Sequence, residues 1–351
     1  MKKRRTTRLI RIGGVPVGGG SPVSIQSMTK TDTRDSQATL RQIRALKRAG
    51  CDIIRVAVPD MEAAMALGPI KKASPIPVIA DIHFDWRLAL EALRQGVDGL
   101  RINPGNIGAD WKLKEVVLAL KDRAIPVRVG VNAGSLEKGI LARYGHPCAP
   151  ALVESALRQT ALLEKFGHDL IKVSLKASNV PTTVDAYRMF SEKSDYPLHI
   201  GISEAGPPAV GVVKSAVGLG VLLWEGIGDT MRVSLTGNPV QEVRTARQIL
   251  QGLAMAKGPE IISCPTCGRT TIDIRRLASQ VEKRLRGIQK PVKVAVMGCV
   301  VNGPGEASEA DFGVTGSKGA GMLFKKGKVL KTVREEDLLD ELMKEIGKWR
   351  P

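Results

Sequence analysis

The sequence predicts an α/β protein, a parallel (β/α)8 barrel of the TIM type followed by a small α+β domain. Three observations predict it. Eight short runs rich in β-branched residues each precede a stretch of helical periodicity, the runs recur at near-regular spacing, and near residue 258 the pattern stops and another begins. The 351 residues also exceed one average core, which suits a division at 1–257 and 258–351.

The runs are SIQSM (24–28), DIIRVAV (52–58), PVIADIH (77–83), GLRIN (99–103), PVRVGVN (126–132), LIKVSLK (170–176), PLHIGIS (197–203) and TMRVSLT (230–236). Their starts lie 22 to 33 residues apart, except for one gap of 44 between the fifth and sixth. The segments between them read as helices; DSQATLRQIRALKRAG (35–50) opens on an Asp/Ser cap and stops at a glycine. Eight such units in a row favour closure into a barrel, with a doubly wound open sheet as the alternative. Past TGNPVQEVRTARQILQGLAMAKGPEIIS (236–263), Ile274, Leu277, Val281 and Leu285 mark one face of a helix. VKVAVMG (292–298) reads as a strand that delivers Cys299, ADFGVTG and GMLFKKGKVLKTV as further strands, and a charged helix follows from about residue 335.

A composition of 43% hydrophobic and 25% charged residues is that of a globular protein. No apolar run reaches the length of about 18 residues that a membrane span needs. The basic start lacks the apolar stretch of a secretory signal, so a cytoplasmic protein is expected. The net charge of +18 calls for nucleic acid or a small polyanion as partner. Aromatic residues at 3% supply few stacking platforms, which argues against nucleic acid. The first eleven residues hold six bases and no acid and read as a solvated tail or a first strand. Five cysteines without a signal peptide make a disulfide framework unexpected. Cys51 precedes an apolar run and reads as core, and Cys148 as structural or incidental.

In barrels of this kind the C-terminal ends of the strands and the loops after them build the site. Those ends carry Arg55, Asp81 with His83, Arg101 with Asn103, Arg128 with Asn132, Lys172 with Ser174 and Lys176, His199 with Glu204, and Arg232 with Ser234. Each alone would pass as solvated rim. Cations converging from five strands suit an anion with more than one phosphate, because guanidinium forks pair phosphate oxygens bidentately. The expected substrate is therefore a small phosphorylated molecule.

The second domain holds SCPTCGRT, with Cys264 and Cys267 spaced C-x-x-C, and MGCVVNGPGEA, with Cys299. Zinc would call for a fourth cysteine or a nearby histidine, yet all four histidines (83, 146, 168 and 199) precede this domain. Three thiolates and a non-cysteine fourth ligand fit an iron–sulfur cluster better, and glycines let backbone N–H groups approach its sulfides. Glu306 stands seven residues beyond Cys299 and could swing back as that ligand. Spacing alone leaves it level with Cys148, Cys51, water or substrate.

Nine segments carry a resemblance across nearly the whole chain. GGVPVGGGSPVSIQSMTKTDTRD, ADIHFD, LRINPGNIG, VRVGVNAGSL, IKVSLKASN, GISEAG, GIGDTMRVSLTGNP, SCPTCGRT and MGCVVNGPGEA occur in the order of the 4-hydroxy-3-methylbut-2-en-1-yl diphosphate synthases of the methylerythritol phosphate route to isoprenoids. The chain resembles the compact bacterial form of that family. It departs in Ser203, where threonine is more usual, and in the YGHPC loop (144–148), which has no evident counterpart.

The resemblance implies reductive ring opening and dehydration of 2-C-methyl-D-erythritol 2,4-cyclodiphosphate. Two electrons would pass one at a time through a [4Fe–4S] cluster held by Cys264, Cys267, Cys299 and Glu306. It further implies a diphosphate cradle of Arg55, Arg101, Arg128, Lys176 and Arg232. Asn103, Asn132 and Ser234 would add hydrogen bonds, and Ser174 and His199 complete the candidate lining. Glu204 is the favoured acid/base residue, with His83, Asp81 and His199 behind it. Flavodoxin or ferredoxin is the implied electron donor, and a homodimer, in which the cluster domain of one subunit caps the partner's barrel, the implied assembly. A carboxylate is a harder ligand than thiolate and exchanges more readily, so Glu306 would be the ligand that yields to substrate. The rival readings are a basic zinc protein that binds nucleic acid, and a barrel enzyme whose cluster is only structural.

Overall fold

Short strand-forming runs rich in Ile, Val and Leu, each followed by a helix, build the first of two units, Met1–Met255; the second is Ala256–Pro351. The computed structural model describes residues 1–350 except 271, 287, 289, 300–304, 306 and 318.

The first unit opens with a short antiparallel hairpin, β1 (Ile10–Ile12) and β2 (Val15–Val17). Eight parallel strands follow: β3 (Ser24–Met28), β4 (Ile53–Ala57), β5 (Val78–Asp81), β6 (Gly99–Ile102), β7 (Val127–Asn132), β8 (Ile171–Lys176), β9 (His199–Ile200) and β10 (Thr230–Met231). Their order is β8-β7-β6-β5-β4-β3-β10-β9, and a parallel bridge from Val173 to Leu198 closes the ring. The predicted barrel is therefore the observed one. Nine helices wrap it: α1 (Ser36–Ala49), α2 (Met61–Ala73), α3 (Trp86–Arg94), α4 (Asp110–Asp122), α5 (Lys138–Tyr144), α6 (Ala149–Lys165), α7 (Val180–Lys193), α8 (Pro208–Trp224) and α9 (Pro239–Gly252). The extra helix α5 fills the 44-residue gap in the repeat.

Side chains of Asp35, Asp60, Asp85, Asn179 and Asn238 accept amide hydrogens in the first turns of α1, α2, α3, α7 and α9. Strands β9 and β10 are shorter than the runs over 197–203 and 230–236. Arg232 N still donates to Ile200 O (3.0 Å), but Leu235 N then turns to the Glu242 carboxylate (3.1 Å).

The hairpin plugs the barrel's N-terminal end. Ile10, Ile12 and Val17 are buried against Ile53 of β4 and Ile79 of β5, with Val15 and Leu170 packed beside them. Of the basic first eleven residues, Ile10 and Arg11 begin β1, the first strand, and those before them are tied to the barrel and do not form a free tail. Lys2, Arg5 and Arg8 donate backbone amides to Trp224 O, Gly226 O and Asp195 O at 2.8–3.0 Å. Arg4 reaches Gly228 O (3.2 Å), Ser21 O and Asp229 (3.1 Å), while Arg5 binds Ser194 O (2.7 Å) and Tyr196 O. Carbonyls left open at turn ends take these guanidinium donors, so this basic stretch is structural.

In the second unit β11 (Glu260–Ser263), β12 (Lys293–Met297), β13 (Phe312–Ser317), β14 (Ala320–Lys325) and β15 (Lys328–Arg334) form one sheet in sequence order. The first three strands run parallel and the last two pairings are antiparallel. Helices α10 (Ile274–Leu285) and α11 (Leu338–Lys348) cover it, burying Ile274, Val281, Leu285, Leu338, Leu342 and Ile346 against Val294, Val296, Phe312, Val314 and Leu323. Among the described residues no helix is long and apolar enough to cross a membrane.

Because Ile12 is 1% exposed in a closed apolar layer, Ile12→Ala should destabilise the barrel by about 2–4 kcal/mol. Denaturant unfolding reads this directly, and a loss below about 0.5 kcal/mol would mean that the hairpin does not seal the floor.

Candidate active site

Above that apolar floor the barrel interior becomes cationic. Asp81 pairs with Arg101, Arg101 with Arg128, and Arg128 with Lys172 across four neighbouring strands, so all four side chains leave on one face. Arg128 and Lys172 are second in β7 and β8, which sets them deep in the barrel and not at the strand ends. The run of β-branched residues showed where these strands lie but not how far down each residue sits.

Asp81 is the counter-charge at the centre. Its carboxylate lies 3.3 Å from Arg101 Nη1, 3.8 Å from Arg55 Nε and 3.4 Å from His83 Nε2. Burial alone would raise its pKa, but Arg55, a hydrogen bond from His83, Arg101 and Arg128 together hold it well below the usual carboxylate range. Asp81 therefore stays ionised at any working pH. His83 is half-exposed at the mouth, where Arg101 Nη1 lies 3.2 Å from its Nε2. Gly130 gives Arg101 its room, since a Cβ there would sit 2.5 Å from Arg101 Nε; at Gly201 one would sit 2.6 Å from Lys176 Nζ.

One carboxylate does not balance this set. Arg128, Lys172 and Lys176 form no ion pair among the described residues, and burial, then Arg128 or Arg55, pushes their proton affinities well below normal. Arg128 Nε and Nη1, Arg101 Nε, Lys172 Nζ and His199 Nε2 are buried without a hydrogen-bond partner. His199 Nδ1 lies 2.8 Å from Thr230 Oγ1; burial, Lys176 and Arg128 keep the ring neutral. Buried cations without partners are unfavourable by several kcal/mol each, so the interior is arranged for an anion.

Asn103 is buried with Oδ1 unpaired, and Ser174 Oγ lies 3.5 Å from Val129 O. Asn132 ends β7, and it and Ser234 are half-buried. Glu204 is exposed in the loop after β9 at φ +51°, a left-handed conformation costly for a residue with a Cβ.

Sequence reading missed Glu242, Lys30 and Met28. Glu242 is buried on α9 and pairs with Arg232 (3.3 Å) and Lys30 Nζ (3.0 Å). An acidic residue in a helix's first turn ordinarily marks only a helix start, so nothing in the sequence singled it out. Met28 Sδ accepts from Arg55 Nη2 (3.0 Å) and lies 3.6 Å from Arg232 Nη1, holding two guanidinium groups without neutralising either.

In the second unit Cys264 directly follows β11 and Cys299 lies two residues past β12, at the same end of paired parallel strands; Cys264 N donates to Val296 O (3.1 Å). Thr270 holds Cys267 through Thr270 N to Cys267 O (3.0 Å) and Cys267 N to Thr270 Oγ1 (3.2 Å). That threonine lies against Gly298, where a Cβ would be 3.0 Å from Thr270 Oγ1, so the Cys267 loop abuts the residue before Cys299. The backbone N–H of Arg269, then its side chain, lowers the pKa of the Cys267 thiol. All three thiols are free. Among the described residues no group of three His, Cys, Asp or Glu side chains is set to hold a metal ion, and Glu306 lies outside the described residues. Three unpaired thiols on one sheet end, with a glycine that lets their loops approach, still suit a soft metal centre.

Fold and site together define a (β/α)8 barrel whose interior carries more buried cations than carboxylates to pair them. The chain belongs to the GcpE family: the family's TIM-barrel domain matches residues 7–247 and its C-terminal domain residues 260–348. A relative from Thermodesulfovibrio yellowstonii, named 4-hydroxy-3-methylbut-2-en-1-yl diphosphate synthase (flavodoxin), is 61% identical over 99% of this chain and 100% of its own length. A protein of the same name from Geobacter sulfurreducens is 61% identical over 97% of each chain. Among solved structures, 3-dehydroquinate dehydratase from Geobacillus kaustophilus shares the barrel at a TM-score of 0.51 and 17% identity, covering 71% of this chain and 98% of its own.

Removing the central counter-charge should expose the imbalance. Asp81→Asn is expected to destabilise the barrel by about 3–5 kcal/mol, as for other broken buried pairs, and to recover more stability with added sulfate than the unaltered protein does. Thermal unfolding with and without sulfate measures both. The depressed pKa of Asp81 also fixes the sign with pH: its contribution is complete above about pH 4 and is lost only as pH falls toward its low folded value.

Proposed function

We propose that the chain catalyses reductive ring opening and dehydration of 2-C-methyl-D-erythritol 2,4-cyclodiphosphate to (E)-4-hydroxy-3-methylbut-2-en-1-yl diphosphate, a step of non-mevalonate isoprenoid biosynthesis. The observation that carries this is the buried cation set of the barrel, in a chain that matches relatives bearing that enzyme's name over 97–100% of their length. Arg55, Arg101, Arg128, Lys176 and Arg232 bind the diphosphate, while Asn103, Asn132, Ser174, Ser234 and neutral His199 add hydrogen bonds. These donors fix the scissile C–O bond and stabilise the phosphate oxygen that leaves it. Asp81 is an anchor for Arg55 and Arg101 and not a proton donor, since it stays ionised. Proton transfer thus falls to Glu204, with His83 as the second candidate.

Cys264, Cys267, Cys299 and Glu306 hold a [4Fe–4S] cluster in this reading. When bound, such a cluster supplies the two electrons one at a time. Glu306 is the exchangeable ligand, and the lowered pKa of Cys267 favours its binding as thiolate. A flavodoxin, as in the relatives' name, or a ferredoxin reduces the protein, which works as a cytoplasmic homodimer.

Anaerobic purification should give a brown protein with about four irons and four sulfides per chain that consumes the cyclic diphosphate only with reduced flavodoxin or ferredoxin. Bound zinc without iron would overturn the proposal. Glu306→Ala is expected to keep most of the iron and lose turnover; full activity in that variant would make the cluster merely structural.

A further inference from the structure

Lys172 has no role in the reading above, and its setting is unusual. It is 1% exposed, its Nζ has no hydrogen-bond partner, and it lies deep in the barrel beside Arg128. The charged and titratable groups around it come from every side. Arg128 faces it from β7, Arg55 from β4, neutral His199 from β9 and Asp229 from just before β10, with Lys176 further along its own strand. The hairpin below contributes only apolar Ile10, Ile12 and Val17. Among the described residues Asp229 is the one carboxylate acting on it, and that group is committed elsewhere: Oδ1 takes Arg4 (3.1 Å) and Thr7 (3.2 Å), and Oδ2 takes Leu198 N (2.8 Å).

We propose that Lys172 takes up a proton when the anionic substrate binds, so that filling the site and charging the barrel floor are one linked event. This rests on the reading of the barrel as a diphosphate site. In the empty barrel an ammonium group at Lys172 would meet burial and two guanidinium groups with no free acceptor, and the neutral amine is favoured. Two phosphate charges arriving among Arg55, Arg101 and Arg128 cancel that repulsion, and the proton affinity of Lys172 rises toward that of an ordinary lysine. A group whose proton affinity rises on binding makes binding weaker as pH rises between its free and bound values.

Calorimetry of the oxidised holoenzyme with the cyclic diphosphate, without electron donor, tests this. Each phosphorus of that ligand keeps a single strongly acidic hydroxyl, so the ligand itself does not titrate near neutral pH. Binding enthalpies in buffers of different ionisation heat count the protons taken up. The unaltered protein should take up protons on binding at pH values below the ordinary lysine range, and Lys172→Met about one fewer per anion, its Kd losing about tenfold per pH unit of dependence. Lys172→Arg, which remains charged, should lose the same proton yet keep affinity at the upper end of those pH values. Binding without proton uptake in the unaltered protein, or an unchanged count in both variants, overturns the inference and leaves the substrate reading standing. No binding by the unaltered protein overturns both.

Discussion

The contact between Asp81 and its neighbours Arg55 and Arg101 organises the barrel interior, and its insufficiency matters as much as its presence. One buried carboxylate orients two guanidinium groups and leaves Arg128, Lys172 and Lys176 without a pair among the described residues. Enough carboxylates to pair every one of these cations would have closed the network and left nothing to bind. The hairpin and the helical ring supply the stability that lets this imbalance persist, because their apolar layers are complete where the polar layer is not.

Glu242 and Met28 show two further ways of holding a cation without using up its charge. Glu242 shares its carboxylate between Lys30 and Arg232, so neither cation is fully compensated. Met28 offers a polarisable sulfur to Arg55 and Arg232, which orients both guanidinium groups at no electrostatic cost. Both devices pre-arrange donors so that an incoming anion meets them already aimed.

Much of this was legible in the sequence for identifiable reasons. The repeat of β-branched runs and capped helices is a local signal, and it marked the eight strands and the extra length that α5 fills. The cysteine spacing and the lack of histidine after residue 199 are equally local. What stayed hidden depends on three-dimensional depth. Arg128 and Lys172 could not be told from rim residues, because depth follows from strand pairing. Glu242 resembled an ordinary first-turn acid, and Arg4 and Arg5 looked like a solvated tail until their carbonyl partners were in view. The three-residue strands β1 and β2 are too short to show a period at all.

The plug formed by β1 and β2 makes the barrel a vessel with a single opening. Traffic through it cannot be one-way: what enters must leave by the same door, and the next molecule waits until the last has gone.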